Sequence, residues 1–184
     1  MTFDYSGYPL TFVQKQRCKD VSAHQFTCIY KFYSPVTKLI YIVRADYHSD
    51  NVFAIKFYVK QHRKSDHKYS KITNKGDVGN ILITCLKVVS LLLSDYPTAS
   101  FGFIGARTLD KESDTVEGYR KTQRFNVYSY VVKEKIGSET FEHIEYEAIS
   151  GYLLINKSGN PNLSEYEQSV IAMFSTTYIS ILDV

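Results

Sequence analysis

The sequence predicts an α+β domain: one mixed, mainly antiparallel sheet with helices packed on it. Three observations lead there. Between residues 24 and 61, three alternating apolar and polar runs are separated by short turns, the pattern of an antiparallel meander. The run Ala99-Ser100-Phe101-Gly102-Phe103-Ile104-Gly105-Ala106 carries no charge, so both of its faces need covering, as in an interior strand. Two long segments of helical periodicity flank that run.

Residues 1–23 show weak patterning and give no element, although Tyr5, Tyr8, Leu10, Phe12 and Val13 could dock on the body. The first strand, His24 to Tyr33, alternates Phe26, Cys28, Tyr30 and Phe32 against Thr27, Ile29 and Lys31. Pro35 marks the turn to a second strand, Lys38 to Ala45. His48-Ser49-Asp50-Asn51 supplies side chains that hydrogen-bond their own backbone in turns. The third strand, Val52 to Gln61, sends Phe53, Ile55, Phe57 and Val59 one way and Ala54, Lys56, Tyr58 and Lys60 the other. A basic loop follows, with Lys60, His62, Arg63, Lys64, His67, Lys68, Lys71 and Lys75.

A helix is expected from Gly79 to Tyr96, with Asp77 as N-cap and Pro97 as its stop. Ile81, Cys85, Val88, Val89, Leu92 and Tyr96 form its apolar face, and further leucines widen it, so it is mostly buried. Beyond the central strand comes an acidic loop with Asp110, Glu112 and Asp114. A second helix is expected from Thr122 to Ile136, with Gly137 at the C′ position. Phe141 to Ala148 and Tyr152 to Asn156 read as strands, broken at Ser150-Gly151. A last helix runs from Glu165 to Leu182, opened by a capping box of Ser164 and Glu167. The expected order is strand, strand, strand, helix, strand, helix, strand, strand, helix, in a single domain spanning 1–184.

Composition narrows the function classes. Hydrophobic residues are 44% and charged residues 22%, an ordinary globular balance. The net charge of +3 permits anionic partners without demanding them. Cys18, Cys28 and Cys85 have no CxxC spacing, which points to a reducing compartment without disulfides or a zinc site. His62 and His67 lack a third ligand at metal-site spacing. No apolar run reaches about 20 residues and no leader pattern opens the chain, so a cytoplasmic protein with no membrane partner is expected.

With these elements in place, residues 26–156 resemble the GNAT superfamily of N-acetyltransferases: three meandering strands, a long helix, a buried strand, a second helix and a strand pair. The resemblance implies acetyl-CoA as cofactor. It would place the pyrophosphate at the start of the long helix, on Gly76, Val78, Gly79 and Asn80, where free backbone N–H groups hold phosphate. It also implies that Tyr128, on the second helix, is the general acid to the leaving thiolate. The stretch Asn74-Lys75-Gly76-Asp77-Val78-Gly79-Asn80 departs from the family's Q/R-x-x-G-x-G/A spacing and puts Asp77 where the anion would approach. A looser similarity, to uncharacterised small α/β proteins of Bacteroidota, rests on Ile81 to Leu93, Gly102 to Gly105 and Arg120 to Tyr128; it implies a bacterial chain and no activity.

Three functional readings stand on the residues. Arg107, Arg120, Lys121 and Arg124 gather where ligands often bind, beyond a strand's carboxyl end, and would contact a small anion or a protein partner. Alternatively, those cations pair with Asp110, Glu112 and Asp114. The acetyltransferase reading uses Tyr128, and a carboxylate among Glu142, Glu145 and Glu147, near His143, as base through water. In the third, Arg63, Lys64 and Lys68 follow a nucleic-acid backbone while Tyr69 stacks on a base. The first reading, a non-catalytic binding module on a GNAT-like scaffold, is preferred because the phosphate loop is incomplete.

Overall fold

The structure is a computed structural model and describes residues 5–70, 76–107, 109–110 and 115–178. Seven strands form one sheet: β1 (Thr11–Arg17), β2 (His24–Ser34), β3 (Leu39–His48), β4 (Val52–Val59), β5 (Ser100–Ile104), β8 (Phe141–Tyr146) and β9 (Gly151–Asn156). Two short strands, β6 (Leu109–Asp110) and β7 (Thr115–Val116), pair apart from it. The helices are α1 (Val78–Asp95), α2 (Gln123–Lys135) and α3 (Leu163–Thr177). The sheet order is β1-β2-β3-β4-β5-β9-β8, and every neighbouring pair is antiparallel except β4 and β5. The α1 crossover makes that one parallel pair, because parallel strands need a long connection.

The alternation read from the sequence divides the sheet into two faces. Cys28, Tyr30 and Phe32 of β2, Tyr41, Val43 and Ala45 of β3, Phe53 of β4, and Phe101 of β5 join α1, Phe125 and Val132 in the main core. The opposite face meets α3: Val52, Leu153 and Ile155 pack on Val170, with Tyr166, Met173 and Phe174 alongside. So β5 is interior, with α1 and α2 on one side and α3 on the other; Phe101 and Ala99 are fully buried.

Several local expectations need correction. β1 is a strand that patterning missed. Asp77 stands at the start of α1 but caps no backbone N–H; its buried carboxylate accepts from Tyr8 Oη at 2.8 Å, Ser34 Oγ at 2.5 Å and Asn80 Nδ2 at 3.0 Å. α2 is capped by Thr122, whose hydroxyl accepts from Phe125 N–H at 3.1 Å. Gly137 follows α2 without a positive φ. α3 begins two residues earlier than expected, because Asn162 rather than Ser164 caps it, accepting from Glu165 N–H at 3.2 Å. It ends at Thr177, and the expected continuation to Leu182 runs past Tyr178 outside the described residues. β4 stops at Val59 and β8 at Tyr146, each followed by a 3-10 turn.

Candidate functional site

β4 and β5 run together for only three residue pairs: Val52 with Ser100, Phe53 with Phe101, and Ala54 with Gly102. β4 then continues to Val59 on β3 alone, while β5 continues to Ile104 on β9 alone. The sheet is therefore split beyond Ala54 and Gly102. Tyr128 of α2 sits at this split on the α1 side, 6.0 Å from the Phe57 ring and 6.1 Å from the Phe103 ring. Burial raises the Tyr128 hydroxyl above the ordinary phenol range. A small cavity of about 40 Å³ lies beside it under α1 and α2, lined by Ile55 and Phe103 from the separated strands.

On the other face the split opens into a cleft of about 280 Å³ beneath α3. Gly102 and Ile104 of β5, Tyr146 and Tyr152, and Phe174 of α3 make its apolar walls. Gly102 is what lets α3 approach: a Cβ there would already touch the Phe174 ring at 3.4 Å. Lys56, Tyr69 and Tyr178 form the polar end. The Lys56 ammonium lies 5.5 Å from the Tyr69 ring centre and 5.4 Å from that of Tyr178, within cation–π range.

Behind Lys56 stands a buried polar network on alternate residues of β3. Asp46, 1% exposed, accepts from Lys56 Nζ at 2.7 Å, Thr27 Oγ1 at 2.6 Å and Arg44 Nη2 at 3.4 Å. Burial by itself would raise the Asp46 carboxyl; the Lys56 charge, hydrogen bonds from Lys56 and Thr27, and Arg44 outweigh it and hold it below the usual carboxylate range. His48 is fully buried, with Nε2 2.7 Å from Tyr178 Oη and its ring stacked on His24 at 5.2 Å. Burial, assisted by His24, pulls the His48 imidazole down to about 4. Lys68 lies over the Tyr58 and Tyr69 rings, and burial plus the Arg44 and Lys56 charges lower it too. Arg44 and Lys56 thus meet Asp46, and Lys68 faces Asp66, so three cations stand against two carboxylates and this end is net positive by one.

The four cations expected as one anion site do not act together. Arg120 and Lys121 both reach Glu147, at 4.0 and 2.8 Å. The Arg107 guanidinium stacks on the Tyr119 ring at 3.9 Å. Arg124 donates to the Tyr69 carbonyl, tying α2 to the basic loop. The alternative partners Asp110, Glu112 and Asp114 have side chains outside the described residues, as do Lys71 and Lys75. Of the glutamates near His143, Glu145 pairs with Lys133 at 2.8 Å and Glu142 with Lys157 at 3.2 Å. His143 Nδ1 is 2.8 Å from Tyr152 Oη. Cys28 and Cys85 are buried, which raises both thiols and leaves them inert.

The start of α1 is not an open phosphate cradle. Residues 5–8 lie across it: Gly7 N–H reaches Asn80 Oδ1 at 3.3 Å and Tyr8 N–H reaches Thr84 Oγ1 at 2.8 Å. Any Cβ on Gly79 would overlap the Tyr5 ring at 2.2 Å. Gly76, Val78, Gly79 and Asn80 are therefore covered from the N-terminal side by the chain itself. No cluster of three or more His, Cys, Asp or Glu suited to a metal ion occurs among the described residues.

Arg44, Asp46, His48, Lys56 and Tyr178 were missed as site residues. A signal was there: three polar residues at alternate positions of a β-branched strand put charge on one face of an interior strand. Compared with known protein families, curated proteins and solved structures, the chain matches none of them.

Proposed function

We propose that this chain is a small-molecule-binding domain whose ligand has an apolar body and an anionic head, seated in the cleft beneath α3. The observation that carries this reading is the apolar cleft at the β4–β5 split ending on Lys56. Its walls offer apolar area, and its end offers cation charge braced by a buried carboxylate, the usual make-up of a ligand pocket. The anion site moves from the Arg107 and Arg124 region to Lys56, with Arg44 and Lys68 beside it, because Lys56 lines the apolar cleft and Arg107, Arg120, Lys121 and Arg124 do not.

A second reading, acyl transfer from acetyl-CoA, is favoured by one specific observation. Tyr128, the general acid that the GNAT resemblance implies, lies where β4 and β5 part, between the Phe57 and Phe103 rings. Against it stands the covered start of α1: residues 5–8 must leave before a pyrophosphate can sit there.

Both readings meet in one titration. The probe 1-anilinonaphthalene-8-sulfonate has an aromatic body and a sulfonate head, and should bind at one saturable site. Ile104→Trp, which fills the cleft from a partly exposed position, and Lys68→Ser, which removes a head-end cation, should each weaken binding about tenfold or more while the melting temperature is retained. Equal binding by all three proteins would remove the cleft reading. Acetyl-CoA, titrated by calorimetry to millimolar concentration, should give no heat if the α1 start stays covered; a clear isotherm would promote the second reading.

A further inference from the structure

Charge is segregated along this chain far more than its net +3 reveals. Thirteen of the 22 Lys and Arg, but four of the 19 Asp and Glu, lie between residues 11 and 76, so that stretch carries +9 and the remainder −6. The positive stretch is one half of the sheet, β1 to β4, together with the basic loop.

Register puts much of this charge on one face. Lys31 of β2 pairs with Ile42 of β3, which pairs with Tyr58 of β4; in the next row, Ile29, Arg44 and Lys56 are opposite one another. Residues in register share a face, so Lys31, Arg44 and Lys56 step across three adjacent strands, about 4.8 Å apart. This is the α3 face, but α3 packs over β9, β8, the start of β4 and, through Phe174, His48 at the end of β3, leaving β2 and the rest of β3 without a helix. Lys68 and Tyr69 of the basic loop fold onto the same face: Tyr69 meets the Tyr58 ring edge-on at 5.5 Å and Lys68 lies over it. Lys31, Lys60, Arg63 and Lys64 are exposed, and Arg44 and Lys56 keep 27% and 32% of their side chains open. Against these seven cations stand Asp46, turned into the network, and Asp66. Tyr33, 52% exposed, and Ile40, 37% exposed, continue the face beyond Lys31.

We infer that this face binds single-stranded nucleic acid. The cations run in a row across the strands, as phosphates of an extended strand require, and Tyr33, 52% exposed, offers a ring on which a base stacks. A lipid surface fits less well, since it calls for an apolar tip ringed by charge rather than cations distributed across a flat sheet. The face shares Lys56 and Tyr69 with the cleft, but Lys31, Arg63 and Lys64 line none of it, so the two can be tested apart.

Fluorescence anisotropy with a fluorescein-labelled oligothymidylate tests it. Binding should weaken with salt, log K falling by about 0.7 per phosphate contact for each unit of log salt. The triple variant Lys31→Ser, Arg63→Ser, Lys64→Ser should flatten that slope by about 2. Lys87→Ser, Lys133→Ser, Lys135→Ser, an equal charge change on the α1 and α2 side, should leave slope and affinity near those of the parent. No binding at low salt, equal loss in both triple variants, or retention by phosphatidylglycerol vesicles but not by the oligonucleotide would overturn the inference. The first triple variant should still bind the anilinonaphthalene probe, so failure here and failure of the cleft reading are told apart.

Discussion

At the scale of single residues, the buried network around Asp46 and His48 decides how this half of the molecule responds to pH. His48 is held neutral, at about 4 against about 6.5 for a free imidazole. Between those values the unfolded chain takes up a proton that the folded chain refuses, so stability falls as the pH drops from 6.5 to 4, by up to about 3 kcal/mol. Asp46 acts in the same direction lower down: its depressed carboxyl stabilises the fold above about pH 4, and that stabilisation is lost as the pH falls through its folded value. The melting temperature should therefore climb from pH 4 to pH 7 and then level. In His48→Gln the climb should be much shallower, at the cost of a lower plateau from the lost contact with Tyr178. A wild-type curve flat across that window would contradict the burial of a neutral imidazole.

At the scale of elements, the legible parts are those where one side of a segment is buried. The alternation in β2 and β4 and the helical spacing in α1 each report a face against the core, and the structure places those faces as read. β1 escaped because all seven of its residues are exposed and a bulge between Phe12 and Gln14 breaks its alternation. The covering of α1 escaped for a related reason: Gly7 and Tyr8 recognise Asn80 and Thr84 across more than 70 residues, and no local pattern records such a partner. Gly105 is the sharpest joint between elements. A Cβ there would fall 2.6 Å from Phe125 N and 2.8 Å from its Cα, backbone atoms that cannot swing aside. Thr122 Oγ1 also donates to the Gly105 carbonyl at 2.9 Å, fixing the start of α2 against the end of β5. Gly105→Ala should cost about 2 kcal/mol in denaturant unfolding. Gly118→Ala, with nothing within 4 Å of its Cβ, should cost far less. Equal effects would mean that β5 and α2 do not meet this closely.

At the scale of the whole molecule, the split sheet and the divided charge are properties of tertiary arrangement. Phe57, Phe103 and Tyr128 are ordinary apolar positions in three separate segments, and only the fold puts Tyr128 against both strands where their pairing ends. Lys56 and Tyr178 lie more than 100 residues apart, so the cleft between them has no trace in either neighbourhood. The cations at 107, 120, 121 and 124 looked like a site because they were close in sequence; in space they are divided among Tyr119, Glu147 and Tyr69. On the proposed reading, the cleft beneath α3 takes the ligand. Amide chemical shifts of the isotope-labelled protein, followed while 1-anilinonaphthalene-8-sulfonate is added, test it most directly. The largest movements should fall at Lys56, Gly102, Ile104, Val170 and Phe174. Movements centred instead on Arg107, Arg120 and Lys121, or none at saturating probe, would contradict it.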